Sequence, residues 1–477
     1  MKRHRIQPIT VKRRNAEIDR EIVTLAWPAI LEMVLHMFVW IVDTAMVGRL
    51  GAGALSAVGL GGSVYWTAVW VFAAVGVGAT AMVARATGAQ DREGASFAGG
   101  QGLLLGFGMG VLLAAGTFIV APWIYRLAGF EREVTAAGID YIRIVGIGAL
   151  LFLPLQVGSG ILRGSGDTRT PFYITLVTNS INAVGDYALI FGEFGFPALG
   201  VKGAAIATLA AHVAGGFLTL WALFRGNRNP LALFYRNGTP LLRPKDIMRV
   251  DVPTMRTLLA LSGPAGAEEA LMNGSRMVTS FMIASLGTVA FAANQVTVAA
   301  ESLSFMPGYG FAVASGILVG QNLGAGRYDR AMQVGYRSMR YSAMVMGSVG
   351  LAFLLIPDLI TRAFTNDLRV VRIAAVCLRI AALEQVAIGV TDVLCGSLRG
   401  AGDTRTALKI TATGTWLVRM PLIAVAIYLV KLTLPAVWGI TCLDWAVRAV
   451  LALNHFRAGR WRGVKIRPDK REVYESP

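Results

Sequence analysis

A nine-residue stretch occurs twice in this chain, and that repetition constrains its fold more than any other feature. Leu162-Arg163-Gly164-Ser165-Gly166-Asp167-Thr168-Arg169-Thr170 returns 236 residues later as Leu398-Arg399-Gly400-Ala401-Gly402-Asp403-Thr404-Arg405-Thr406, identical at eight of nine positions. The same offset pairs Pro28 with Pro264, Glu32 with Glu268, Gly51 with Gly287, Gly88-Ala89 with Gly324-Ala325, and Gly203 with Gly439. A gap-free offset over that length means two equivalent halves. Each half is written in apolar runs of about 20 residues, the length that crosses a hydrocarbon core.

Charged or Gly/Pro-rich breaks divide these runs into twelve spans. They lie near 22–48, 57–84, 96–122, 139–162, 170–192, 200–225, 258–285, 289–320, 333–356, 373–397, 404–430 and 433–455. The predicted fold is an all-α integral membrane protein, with twelve transmembrane helices in two six-helix lobes. The lobes are 21–225 and 258–455, joined by a linker at 226–257 and flanked by basic tails at 1–20 and 456–477. An even number of spans per half gives both halves one orientation, related by an axis near the membrane normal. A parallel repeat of this kind implies a central cavity, opened to either side by rocking.

Composition excludes other classes. Charged residues make up 15% of the chain, against about 25% in a soluble domain. Three cysteines are too few for a disulfide scaffold. Cys377, Cys395 and Cys442 lie in apolar segments without CxxC spacing, so small buried hydrophobes are expected, not a metal or redox site. The net charge of +17 invites a nucleic-acid reading. Its distribution refutes it, because Lys and Arg sit at the chain ends and in alternate loops. The tails (Lys2, Arg3, Arg5, Lys12, Arg13 and Arg14; Arg457, Arg460, Arg462, Lys465, Arg467, Lys470 and Arg471) and the linker (Arg225, Arg228, Arg236, Arg243, Lys245, Arg249 and Arg256) are basic. So are the 85–95 loop and the 327–340 segment, whereas the 49–56 loop has only Arg49. The 357–372 loop, with Arg362, Arg369 and Arg372, breaks the pattern. Lys and Arg stay on the cytoplasmic side, so both termini are expected inside a plasma (inner) membrane. The first run has no small-residue cleavage site and should be an uncleaved span. Without a GxxxxGK[ST] motif there is no sign of ATP-driven transport.

Acids within spans point to chemistry, since a charge in hydrocarbon costs about 2.5 kcal/mol or more and usually faces a cavity. Asp43 lies near the outer end of the first span and Asp186 within the fifth. Asn179 and Asn182 precede Asp186 by seven and four residues, on the same helical face. Two close carboxylates in an apolar lobe cannot both ionise cheaply, which suits a group that takes and releases a proton. Asp, Asn and Thr oxygens also suit a Na⁺ cage. The alternative is an interhelical hydrogen-bond network. Arg and Asp of each repeated turn can pair, either as a cytoplasmic gate or as residues that set topology. Met33, Met37, Phe38, Trp40, Tyr65, Trp66, Trp70 and Met306 are candidates to line a cavity for flat lipophilic cations, or else face lipid. His36 is a candidate proton relay or a hydrogen-bonded buried histidine.

The doubled turn motif, Asp43-Thr44-Ala45-Met46-Val47-Gly48 and Gly200-Val201-Lys202-Gly203-Ala204-Ala205-Ile206-Ala207-Thr208 together resemble the multidrug and toxic compound extrusion (MATE) family, over about 20–455. The resemblance implies a secondary efflux antiporter with no catalytic residue and no cofactor. It would export organic cations or amphipathic compounds in exchange for H⁺ or Na⁺, as a monomer. In an archaeal-type branch of the family the N-lobe cation site matches Asp43, Asn182, Asp186 and Thr208. The repeat carries these onto Thr279, Val418, Leu422 and Asp444, so the C-lobe has lost the set. The C-lobe acids of a NorM-like branch fall on Met272 and Ile388, a departure. Glu268 and Asp392 lie four residues away, about one turn or 5.4 Å, as a possible second acidic site. Either they bind a cation or they pair with Arg276 and Arg419. A lipid-linked saccharide flippase is the alternative within the superfamily, disfavoured by the few cations in the first, second, seventh and eighth spans. A non-transporting scaffold or sensor is the other.

Overall fold

Every predicted span is helical, and many helices outrun their spans. The computed structural model describes residues 11–225, 241–464 and 466. Its long helices are α1 (Val11–Gly48), α2 (Ala52–Gly88), α3 (Arg92–Ala128), α4 (Arg132–Gly164), α5 (Arg169–Phe191) and α6 (Val201–Arg225). The second half supplies α7 (Val252–Ala284), α8 (Thr288–Gly324), α9 (Tyr328–Leu355), α10 (Leu368–Ala401), α11 (Thr404–Leu429) and α12 (Leu434–Ala458). Helix α1 thus begins at Val11, inside the stretch assigned to the tail. Lys2, Arg3, Arg5, Arg228, Arg236, Lys465, Arg467, Lys470 and Arg471 lie outside the described residues. Ten of these helices are long and apolar enough to cross a membrane. The two that fall short are α5, which carries Asn179, Asn182 and Asp186, and α7, which carries Glu268, Glu269 and Arg276.

The two lobes exchange one end of their first helices. Ile18, Ile22, Leu25 and Ala26 of α1 pack in the C-lobe core with Phe311, Leu318, Ala331 and Leu398. Beyond Pro28 the helix joins the N-lobe, where Val47 packs with Ile190 and Ala204. Helix α7 does the converse. Its Leu258 and Leu261 lie in the N-lobe core with Val75 and Ala79, and its Ile283 packs with Cys377, Ile423 and Trp438. Pro28 and Pro264, equivalent by the repeat, each sit inside the helix between its two packing partners.

An even number of crossings returns the end of α12 to the side where α1 begins, the tail side. There the lobes meet tightly. A methyl group at Gly88 would overlap the Gln321 carbonyl, and one at the equivalent Gly324 would overlap the Arg85 carbonyl. Gln321 Nε2 donates to Gly164 O at 3.0 Å across the seam. Two ion pairs tie α1 to α9, Asp19–Arg337 and Glu21–Arg330, both at 2.7 Å.

In the repeated turns the aspartates bond chiefly to backbone. Asp167 accepts from the Arg169 and Thr170 backbone N–H groups at 3.1 and 3.0 Å, and Asp403 from that of Thr406 at 3.3 Å. They cap the next helix instead of pairing with Arg163 or Arg399. Burial pushes the Asp167 carboxyl above its usual range, against the pull of its Thr170 and Arg169 donors. Gly166 and Gly402, at φ 99° and 89°, take the left-handed conformation that these turns need. In the anomalous 357–372 loop one of the three arginines, Arg369, pairs with a local aspartate, Asp367, at 3.4 Å, and Asp358 pairs with Arg379 of α10 at 2.8 Å.

Candidate functional site

Asp43 and Asp186 come together at the end of the N-lobe far from the tail side. Asp43 lies five residues before the end of α1, and Asp186 five before the end of α5. Their carboxyls stand side by side and interact directly. Asp186 is only 1% exposed, and neither of its oxygens has a protein donor that meets hydrogen-bond geometry. The contact with Asp43 is therefore one between two acceptor groups, which needs a proton or a cation between them to be favourable. Asn182 is buried one turn before Asp186 on the same face of α5. Thr208 is half-buried in α6, next to Ala207, whose Cβ lies 3.0 Å from where a methyl at Gly185 would stand. This close approach brings the stretch of α6 that carries Thr208 against the stretch of α5 that carries Asp186. Asn179 plays a different part, since its Nδ2 donates to Leu35 O of α1 at 2.7 Å and ties the two acid-bearing helices together. Tyr141 of α4 lies beside both carboxyls and was not singled out in the sequence, because a tyrosine in an apolar span carries no signal of its own.

At the equivalent place the C-lobe is sealed by arginine. Asp444, the repeat partner of Thr208, is fully buried and held by Arg448 through Nε and Nη2, both at 2.7 Å. Arg419 adds a third charge, 2.7 Å from Asp444 Oδ2. Arg448 also donates to Thr415 at 2.5 Å and lies 4.5 Å from the Trp445 ring. Thr415 and Arg448 are the repeat partners of Asn179 and His212. A π-helical stretch of α11, Thr413–Arg419, presents this wall, and a methyl at Gly414 would overlap Asp444 and crowd Arg448 at 2.5 Å. The acid here has a guanidinium built in. Sequence reasoning carried Thr208 onto Asp444 but missed the Arg448 partner four residues on.

A second symmetric feature lies nearer the tail side. Arg163 Nη1 donates to both Glu32 oxygens at 3.1 Å. Arg399 donates to the equivalent Glu268 at 2.9 and 3.2 Å, and Thr411 adds a bond at 2.7 Å. Glu268 therefore pairs with Arg399, and not with Arg276 or Arg419. Asp392 lies within the electrostatic reach of Glu268 and Arg399 without a direct bond between the two acids. Tyr309, 45% exposed, stands in the field of Arg163, Arg399, Glu32 and Glu269. A different C-lobe acid pair is in direct contact, Glu301 with Glu384. Both are buried, and Glu301 Oε1 and Glu384 Oε2 have no hydrogen-bond partner.

The apolar candidates divide. Phe38, Trp40 and Trp70 are exposed, at 63%, 63% and 40%. Tyr65 is buried and donates to Val145 O at 3.1 Å, with Trp66 packed against it and Phe152. His36 stands in the field of the Glu32–Arg163 pair. The three cysteines are free thiols.

A family model, MatE, matches residues 28–188 and 264–425, two segments that begin 236 residues apart. The chain belongs to the MATE family. It is 32% identical to the probable multidrug resistance protein NorM of Thermotoga maritima, over 97% of either chain. It is 28% identical to the multidrug resistance protein MdtK of Edwardsiella ictaluri, over 84% of this chain and 86% of that one. A solved outward-facing multidrug resistance MATE family transporter of the MOP superfamily superposes with a TM-score of 0.83 at 22% identity, covering 93% and 97% of the two chains. As a MATE protein the chain is a multi-pass membrane transporter, not an enzyme, and the family couples transport to ion gradients.

Proposed function

We propose that this MATE protein is an efflux antiporter that exports organic cations or other amphipathic compounds in exchange for H⁺ or Na⁺. Asp43 and Asp186, with Asn182 and Thr208 beside them, form the coupling site in this reading, and Asn179 positions it. The observation that carries it is the contact between Asp43 and Asp186 set against the arginine-sealed Asp444. A shared proton or a bound Na⁺ relieves the repulsion between the two N-lobe acids, so the lobe has two states that differ in charge. Substrate and ion favour opposite states, and linkage makes that antagonism mutual. The tail side lies in the cytoplasm of a cell with this protein in its inner membrane, and 21–225 and 258–455 rock as two lobes about 226–257. A monomer suffices for this cycle.

The test is efflux from proteoliposomes with an imposed pH or Na⁺ gradient. One of the two gradients should drive transport, and ATP should add nothing. Transport sustained by ATP without a gradient would sink the antiporter reading. The Glu301–Glu384 contact favours a second protonation site in the C-lobe, in place of Glu268 and Asp392. Glu384→Gln should then change the number of ions exchanged per substrate.

A further inference from the structure

The lobe seam on the tail side carries an open cavity of about 660 Å³ whose charge the transport reading does not use. Its walls include Arg20 and Glu21 of α1, Arg169 at the start of α5, Gln321 of α8, Arg327 in the α8–α9 turn and Arg330 of α9. Four arginines from three parts of the chain line it, and its one lining carboxylate, Glu21, is engaged by Arg330. Exposed arginines on one face follow from membrane topology alone. Convergence around a concave space does not. Arg169 is half-buried and stacked 5.6 Å from the Trp27 ring, and the buried Nε of Arg330 donates to nothing in the protein. Helix α9 begins here with no side-chain cap, and Asp329 of its first turn is not part of the lining. Orphan N–H groups, guanidinium forks and a helix N-terminus are the donors that hold tetrahedral oxyanions.

We propose that this cavity binds a phosphate-type oxyanion, either the phosphodiester headgroup of an anionic lipid or a soluble phosphorylated anion. Arg169 belongs to the N-lobe half and Arg327 and Arg330 to the C-lobe half. An occupant that bridges them is held only while the seam is closed. It therefore stabilises the tail-side-closed state and slows the cycle. The effect on efflux rests on the transport reading; the binding does not.

The experiment uses the full chain in nanodiscs. Inorganic pyrophosphate added to phosphatidylcholine discs tests the soluble source, and discs containing phosphatidylglycerol test the lipid source. Arg20→Gln with Arg327→Gln removes two exposed cavity charges. Arg457→Gln with Arg460→Gln removes as many from the same side, outside the cavity. At least one probe should raise the melting temperature of the wild type. The cavity pair should weaken that binding about tenfold or more, as expected for lost charge-assisted hydrogen bonds, and the other pair should leave it unchanged. A response to one probe only identifies the source. No response to either probe overturns the proposal, and so does equal weakening by both pairs, which would mark unspecific attraction. Binding without slower efflux would overturn the regulatory part alone.

Discussion

At the residue scale the N-lobe acids and the C-lobe arginines make opposite predictions. Asp43→Asn and Asp186→Asn keep the hydrogen-bonding shape but remove the titratable charge. Each should abolish gradient-driven efflux in proteoliposomes while the melting temperature stays near that of the wild type. Thr279→Asn and Leu422→Asn, at the repeat-related positions, should transport normally. A purely structural network predicts tolerance of Asn, at about 0.6 kcal/mol per lost interhelical bond; normal efflux from the doubly substituted protein would therefore rule out the coupling role. Arg448→Met should act on stability instead, because it strips Asp444 of its bidentate partner. Removing one side of a buried pair costs about 3–5 kcal/mol, and Arg419 should retain part of it. Adding Asp444→Asn should recover stability, as read by thermal unfolding in detergent. Asp43, Asn182 and Asp186 were legible in the sequence because polar groups in apolar spans stand out. Tyr141 was not, since its role comes only from lying beside the acids. The pairing of Arg448 with Asp444 did carry a signal, their spacing of four on α12, whereas the approach of Thr415 and Arg419 follows the π-helical path of α11 that no periodicity announces.

At the element scale, the way α1 and α7 cross between lobes was invisible in their sequences. Hydrophobic pattern shows that a helix is buried on some face, not which neighbour buries it. The repeat did reveal the glycines at which α2 and α8 meet, though not that they close the seam. Because a methyl at Gly88 would overlap the Gln321 carbonyl, Gly88→Ala should force the tail-side seam apart. Overpacking costs about 1–3 kcal/mol, enough to shift a two-state equilibrium roughly fivefold to a hundredfold. Labelling of a cysteine placed at Gln321, in protein freed of native thiols, should accelerate accordingly. Gly108→Ala, where a methyl meets nothing within 4 Å, is the control and should not change the rate. Unchanged labelling in Gly88→Ala would mean that the seam yields without opening.

At the scale of the whole molecule, one fold is used twice with different chemistry at the far end: Asp43 and Asp186 side by side in one lobe, Asp444 sealed by arginines in the other. Transport needs the lobes to share a shape so that they can rock as equals about the seam. It does not need them to share an ion site, and each lobe can respond to a gradient through acids of its own. That division has a direction only if the acids open to one side and the seam to the other. The tail side must then be cytoplasmic, as the basic tails, linker and loops require. In a background with Cys377, Cys395 and Cys442 replaced, single cysteines at positions 15, 240 and 465 should resist an impermeant thiol reagent in intact cells. A cysteine at Glu193, exposed at the far end of α5 beyond Asp186, should react. All four should react once the cells are opened. Labelling of position 240 in intact cells would invert the molecule. The oxyanion cavity would then face outside, and Asp43 and Asp186 would receive their ion from the cytoplasm, so that a gradient directed into the cell could no longer drive export through them.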